Sequence, residues 1–245
     1  MSGHNKWSTI KNKKAKTDGQ RAKIFTKVGR EISVCVKNGG ADPASNGKLR
    51  DLIAKAKSMN VPNDNINRVI KKAEGGERDD YESITYEGYG PSGIAMIVET
   101  LTDNRNRTAG NLRHYFDKFG GNLGNVGCVS FLFTQQGVIV LDVEGKEEEA
   151  VMEDVFDAGA DDFDMSDGMA EITCDPANFS TVREALEAKG YAFISAEVEM
   201  VPSTETALTD ADDLKKMGLL LDHLEDDDDV QNVWNNLENE EDLDR

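Results

Sequence analysis

Lys6, Lys11, Lys13, Lys14, Lys16, Arg21 and Lys23 stand within the first 23 residues, with Asp18 the lone acid among them. Cations at that density suit one chemistry above others, the neutralisation of nucleic-acid phosphates with release of their counterions. The bland alternative is a solvated, solubilising tail. Against it, the charge continues along the chain through Lys27, Arg30, Arg68, Lys71 and Lys72. Lysine outnumbers arginine, which points to phosphate contact with little base readout, since lysine acts as a point charge and arginine is the bidentate base reader. Trp7 suits two roles, stacking on an unpaired base or anchoring the arm on the protein.

A second cluster is Thr102-Asp-Asn-Arg-Asn-Arg-Thr108, which brings Arg105 and Arg107 between a strand and a helix start, with Arg113 further along. A loop held by a rigid scaffold is a common seat of function. Equally, Asp and Asn here can simply bond the backbone of a capped turn.

Catalytic chemistry finds no footing. His4, His114 and His223 are isolated from one another and from any serine or cysteine pattern, so neither a triad nor a zinc site is expected. No metal, cofactor or catalytic residue is assigned. Gly120-Gly-Asn-Leu-Gly-Asn-Val-Gly127 lacks the Gly-Lys-Ser/Thr ending of a phosphate loop and precedes a strand, so a tight turn is expected. Asp226–Asp229 and Glu147–Glu149 read as helix-end charge and solubility. Cys35, Cys128 and Cys174 are far apart and odd in number. They read as small buried residues in a reducing compartment. Met1–Trp7 has no apolar core of an export signal, and no apolar run approaches the roughly 20 residues of a membrane span. A cytoplasmic protein without membrane contact is expected.

The net charge of −19 conceals a division. Residues 1–72 carry 17 basic against 5 acidic side chains, a balance of +12, and the other 173 residues carry 11 against 42, a balance of −31. Such asymmetry within one chain implies separate jobs for its parts.

The elements that must position these charges follow from periodicity. Phe25, Val28, Ile32, Cys35 and Val36 form a helical stripe from about Gln20 to Asn38, with Lys23, Lys27, Arg30 and Lys37 on the opposite face. Helices are expected over Gly47–Met59 and from Asn63 to the Gly75-Gly76 pair, the latter started by Pro62. Strands are expected at Gly93–Thr100, Cys128–Phe133, Val138–Val143, Met169–Cys174, Ala192–Met200 and Val230–Trp234. Helices are expected at Thr108–Phe119, Glu147–Ala158, Ser180–Lys189 and Asp210–Leu224. The fold class is α+β, an N-terminal three-helix domain followed by two α/β domains of ferredoxin-like character, the third inserted in the second. The expected boundaries are a basic helical domain with its arm at 1–78, an α/β domain at 79–133 plus 205–245, and an inserted α/β domain at 134–204.

Several ordered motifs together resemble the YebC/PmpR family of transcriptional regulators, related to the mitochondrial translational activator of cytochrome c oxidase subunit I. They are Gly3-His-Asn-Lys-Trp-Ser8, Ile10-Lys-Asn-Lys-Lys-Ala15, Lys48-Leu-Arg-Asp-Leu-Ile-Ala-Lys-Ala-Lys57, Met59-Asn-Val-Pro-Asn-Asp-Asn-Ile66, Tyr86-Glu-Gly-Tyr-Gly-Pro91, Thr102–Thr108 and Phe131-Leu-Phe133. The resemblance covers nearly the whole chain and implies the same three domains. It implies a non-enzymatic regulator of gene expression, either a DNA-binding transcriptional regulator or a ribosome-associated factor that binds ribosomal RNA or tRNA and relieves stalls at proline-rich stretches. The residues leave a further alternative, a protein-interaction module whose basic arm docks on an acidic partner or on this chain's own acidic surface. Oligomeric state is not legible.

Overall fold

The structure is a computed structural model that describes residues 18–75 and 80–243, with side chains described from Lys23 onward. The described residues open with helices α1 (Asp18–Gly39), α2 (Gly47–Ser58) and α3 (Asn63–Glu74). Of the stripe predicted on α1, Val28, Ile32, Cys35 and Val36 are buried and Phe25 is half-buried. Gly40 ends that helix with φ of 87°, a conformation open to glycine because it has no Cβ. Asn46 caps α2. Its Oδ1 accepts from the Leu49 amide at 3.1 Å while its Nδ2 donates to the Gly40 carbonyl at 2.9 Å. One side chain thus closes both the end of α1 and the start of α2. Asn60, at φ 60°, makes the turn into α3, asparagine being one of the few residues that tolerate it.

The chain divides into two compact units, one comprising 1–31, 77–134 and 201–245, the other 32–76 and 135–200. The first unit holds a four-stranded antiparallel sheet built from β1 (Glu82–Tyr89), β2 (Ala95–Thr102), β3 (Asn122–Leu123) and β8 (Val230–Asn235), in the order β3-β1-β2-β8. Helices α4 (Arg105–Lys118) and α7 (Ala211–Asp226) supply Leu112, Phe116, Met217, Leu220, Leu221 and Leu224 to one core with Met96 and Val98 of β2. At about 25 cal/mol per Å² of apolar surface removed from water, such packing dominates the stability of the unit.

The second unit holds a sheet of order β5-β6-β4-β7, from β4 (Phe133–Asp142), β5 (Asp162–Ser166), β6 (Met169–Cys174) and β7 (Ala192–Pro202). Helices α5 (Glu148–Asp157) and α6 (Phe179–Ala188) bury Val151, Val155, Val182 and Leu186 with Ile139, Leu141 and Ile172. The chain is therefore α+β, N-terminal helices followed by antiparallel sheets backed by helices.

Several elements differ from the sequence reading: α4 starts at Arg105 rather than Thr108, so Arg105 and Arg107 lie on its first turn, and the expected turn at 120–127 holds the short strand β3. Strand β1 was not expected, because its partner β3 is two residues long and most of its outer edge lacks a neighbour, leaving Glu82, Ser83 and Thr85 exposed and the apolar alternation weak. Strand β5 was not expected either, although Asp167 (φ 49°) and Gly168 (φ 78°) form the two-residue hairpin turn that joins it to β6, a strong Asp-Gly signal. The strand expected at Cys128–Phe133 is instead a short 3₁₀ turn, Ser130–Leu132, before β4 begins. The amides of Gly127, Val129 and Ser130 bond the Glu87 carboxylate, at 2.7, 2.8 and 2.9 Å.

Candidate nucleic-acid interface

Of the cations singled out in the sequence, Lys6, Trp7, Lys11, Lys13, Lys14 and Lys16 lie outside the described residues, as does the side chain of Arg21. Those on α1 are engaged within the first unit. Lys23 Nζ pairs with Asp226 Oδ1 at 2.9 Å. Lys27 Nζ donates to the Glu225 carbonyl at 2.6 Å and Arg30 Nη1 to the Asp228 carbonyl at 2.7 Å. The C-terminal end of α7 carries the negative pole of the helix dipole as well as these carboxylates, so it attracts cations twice over. Burial pushes the Lys27 ammonium down to about 8, against the pull of Glu225, Asp227 and Asp228. An ammonium so placed is a poor ligand for an outside phosphate.

The run Asp226–Asp229 divides by burial. Asp226 is exposed at its side chain, whereas Asp229 retains 4% exposure. The Asp229 carboxylate accepts from Arg30 Nη1 at 3.0 Å, Arg107 Nη2 at 2.7 Å, Thr108 Oγ1 at 2.9 Å and Thr102 Oγ1 at 3.2 Å. Burial opposes its charge, but the bonds from Arg107, Thr108 and Arg30 outweigh that and hold the carboxyl below the usual range. The bonds that Arg107 donates to Asp229 and Asp103 raise its guanidinium in turn. Asp229 is thus a structural keystone joining α1, β2, α4 and the start of β8. Nothing local in the sequence marks it, because its partners come from 121 to 199 positions away only after folding.

Arg107 is therefore committed, whereas Arg105 and Arg113 are exposed; Arg105 reaches only Glu82, at 4.0 Å. In the second unit Arg50 pairs with Glu184 at 2.5 Å and Lys55 with Glu197 at 3.1 Å. Arg183, buried to 6% exposure, meets Asp51 at 3.0 Å. The exposed cations of this unit include Lys48, Lys57, Arg68, Lys71 and Lys72. Arg68 bonds Asn65 one turn back, at 3.2 Å.

Glu87 is the second buried anion that sequence reasoning missed. Buried on β1, it offsets its desolvation with the three amide bonds described above, which hold its carboxyl below the ordinary range although burial works against them. Those bonds, with Tyr89 donating to the Cys128 carbonyl at 2.9 Å, fasten a loop that leaves Val126 and Phe131 exposed. The three glutamate-bonded amides could have been foreseen only from the tertiary approach of β1 to residues 127–130.

Among the described residues no group of three or more His, Cys, Asp or Glu is placed to hold a metal ion. Among them too, no helix is long and apolar enough to cross a membrane.

The fold defines a class, a two-unit α+β protein with N-terminal helices in a basic segment of sequence and an acidic remainder. The model of the TACO1/YebC protein N-terminal domain matches residues 5–76, and that of the TACO1/YebC second and third domain matches residues 81–237. A probable transcriptional regulatory protein of Ruminiclostridium cellulolyticum is 62% identical over 229 residues, 92% of each chain. One of the same description from Acetivibrio thermocellus is 57% identical over 238 residues, 96% of this chain and 98% of the other. The crystal structure of a conserved hypothetical protein from Aquifex aeolicus superposes with a TM-score of 0.85 at 41% identity, covering 96% of this chain and 97% of that one. The chain belongs to the TACO1/YebC family.

Proposed function

We propose that the protein is a non-enzymatic, nucleic-acid-binding regulator of gene expression acting in the cytoplasm. The observation that carries this reading is the exposed cationic face of α3, where Arg68 and Lys71 stand in solvent, within an N-terminal segment of net +12. The lysines at 6, 11, 13, 14 and 16 add further cations in the sequence, which neutralise phosphates in the same way. Lys23, Lys27 and Arg30 belong to the chain's own acidic surface instead. The names of the relatives, probable transcriptional regulatory proteins, support DNA as the target.

A second reading, ribosomal RNA with a role in translation, is favoured by the predominance of lysine over arginine in residues 1–72, 13 against 4. Backbone contact without base readout suits a structured RNA recognised by shape. Sedimentation of lysate through a sucrose gradient at low and moderate salt tests both. Migration with ribosomes, lost on changing Lys11, Lys13, Lys14 and Lys16 to alanine, supports translation. Migration at the top of the gradient at both salts, with binding of promoter DNA, supports transcription. Loss of neither DNA nor RNA affinity on neutralising the lysines sinks the phosphate-contact reading.

A further inference from the structure

Gly110 sits in the middle of α4, exposed and with an ordinary helical φ, and a Cβ built on it meets no atom within 4 Å. Glycine at such a place costs helix stability relative to alanine, so a reason is required. At several other glycines the reason is visible. A Cβ on Gly88 comes within 2.7 Å of the Asn122 carbonyl, on Gly121 within 2.3 Å of the Tyr89 carbonyl, and on Gly137 within 2.7 Å of Cys174 Sγ. Gly40, Gly120 and Gly168 hold φ of 87°, 81° and 78°. Among the described residues Gly110 has neither excuse, which points to close approach by a group beyond them.

The neighbours say what that something is. At roughly 100° per residue, Asn106, Arg113 and His114 share the face of Gly110, and all three are exposed. Among the described residues no hydrogen bond or ion pair engages Arg113. α4 carries four of the 11 basic side chains found beyond residue 72, Arg105, Arg107, Arg113 and Lys118, against the single acid Asp117. It is a basic helix in a segment of net −31. A bare patch of helix backbone ringed by a guanidinium, an amide and an imidazole matches a phosphodiester backbone, whose oxygens accept from all three. Asp117, one turn beyond, bounds the patch at its C-terminal end.

We propose that the outer face of α4 centred on Gly110 is a second nucleic-acid contact, at which a sugar–phosphate backbone lies directly against the helix and is held by Arg113, Asn106 and His114. This deepens the nucleic-acid reading above and rests on it.

The full-length protein and its Gly110→Ala, Gly110→Gln and Arg113→Ala variants are tested for melting temperature and for affinity to two probes, purified ribosomal RNA and random-sequence duplex DNA. Alanine and glutamine both favour helix over glycine, so Gly110→Ala raises the melting temperature by about 2–4 °C, and Gly110→Gln melts no lower than the parent. Despite this, affinity falls for whichever probe the parent binds, by about tenfold for Gly110→Gln and for Arg113→Ala. A gain in stability joined to a loss in binding is the signature of a glycine kept for contact. The probe that responds identifies the source of the backbone. If Gly110→Gln binds both probes as the parent does while the alanine variant of Lys11, Lys13, Lys14 and Lys16 loses affinity, this inference is overturned and the regulator reading stands. If the parent binds neither probe, both fall.

Discussion

Lys23, Lys27 and Arg30 on α1 and Arg68 and Lys71 on α3 carry the same charge at similar helical spacing, yet their surroundings differ in kind. The first three face the C-terminal end of α7 and bond its carbonyls and carboxylates. The second pair stands exposed, with Arg68 reaching only Asn65. A cation already supplied with an anion has little to offer another, because its new bond must first replace the old one. The lesson is that a basic stripe on a helix is a binding surface only where the fold leaves it without a partner. In this chain the acidic segment that decides the matter lies 198 to 203 positions away.

That contrast can be broken most forcefully at Asp229. Changing Asp229 to Ala leaves Arg30 and Arg107 without their buried acceptor and is expected to cost about 3 kcal/mol, the low end for a severed buried pair since Arg107 stays half-exposed. Urea unfolding measures it. A loss under about 1 kcal/mol would show that the network is not cooperative. Next in size, Glu87→Gln presents an amide N–H₂ to amides that need an acceptor, and is expected to cost about 2 kcal/mol. Its local sign is faster proteolysis of residues 124–131, and unchanged cleavage there would separate the loop from Glu87.

Acid sharpens the same comparison. Asp229 and Glu87 both have carboxyls held below their ordinary values in the folded state. Their contribution is therefore complete above the unfolded values, about 4, and is lost as pH falls through the lower folded ones. Stability is expected to hold from pH 7 to about pH 5 and to fall below about pH 4. The Asp229→Ala variant should fall less steeply, as read from urea midpoints across that range. A parallel fall would assign acid sensitivity elsewhere.

The smallest expected effects on stability discriminate function best. Arg68→Ala with Lys71→Ala should leave stability within about 0.5 kcal/mol. On duplex DNA the double variant should reduce the log–log salt slope of binding by about 1.8, at about 0.9 for each phosphate it no longer neutralises. Lys23→Ala, which breaks a pair exposed to 41% and 67%, should change stability by about 0–1 kcal/mol and leave the salt slope alone. If Lys23→Ala moves the slope and the α3 variant does not, the roles assigned to the two faces are exchanged.

Much of the fold was legible because its signals are local. The stripe Val28, Ile32, Cys35 and Val36, the break at Val61-Pro62 and the apolar run ending in Val98 each need only a few neighbouring residues to declare themselves. What stayed illegible depended on pairing. Strand β1 looks polar because little covers its outer edge, and 127–130 look like a strand until Glu87 takes their amides. The candidate site divides in the same way. Composition located the charge, but not which charges meet an acid.

The sequence by itself determined the segregation of charge, +12 over residues 1–72 against −31 beyond, and the periodicities that make its helices and most of its strands. Those are properties of residue order, sensed within a turn or a strand length. Tertiary structure alone decided that Asp229 and Glu87 are buried anions, that Lys23, Lys27 and Arg30 are closed on the chain's own acidic segment, and that Gly110 stands uncovered by the described residues on a basic helix. The physical reason is distance. Desolvation and pairing depend on what folding brings within about 3–4 Å, and residue order does not record that.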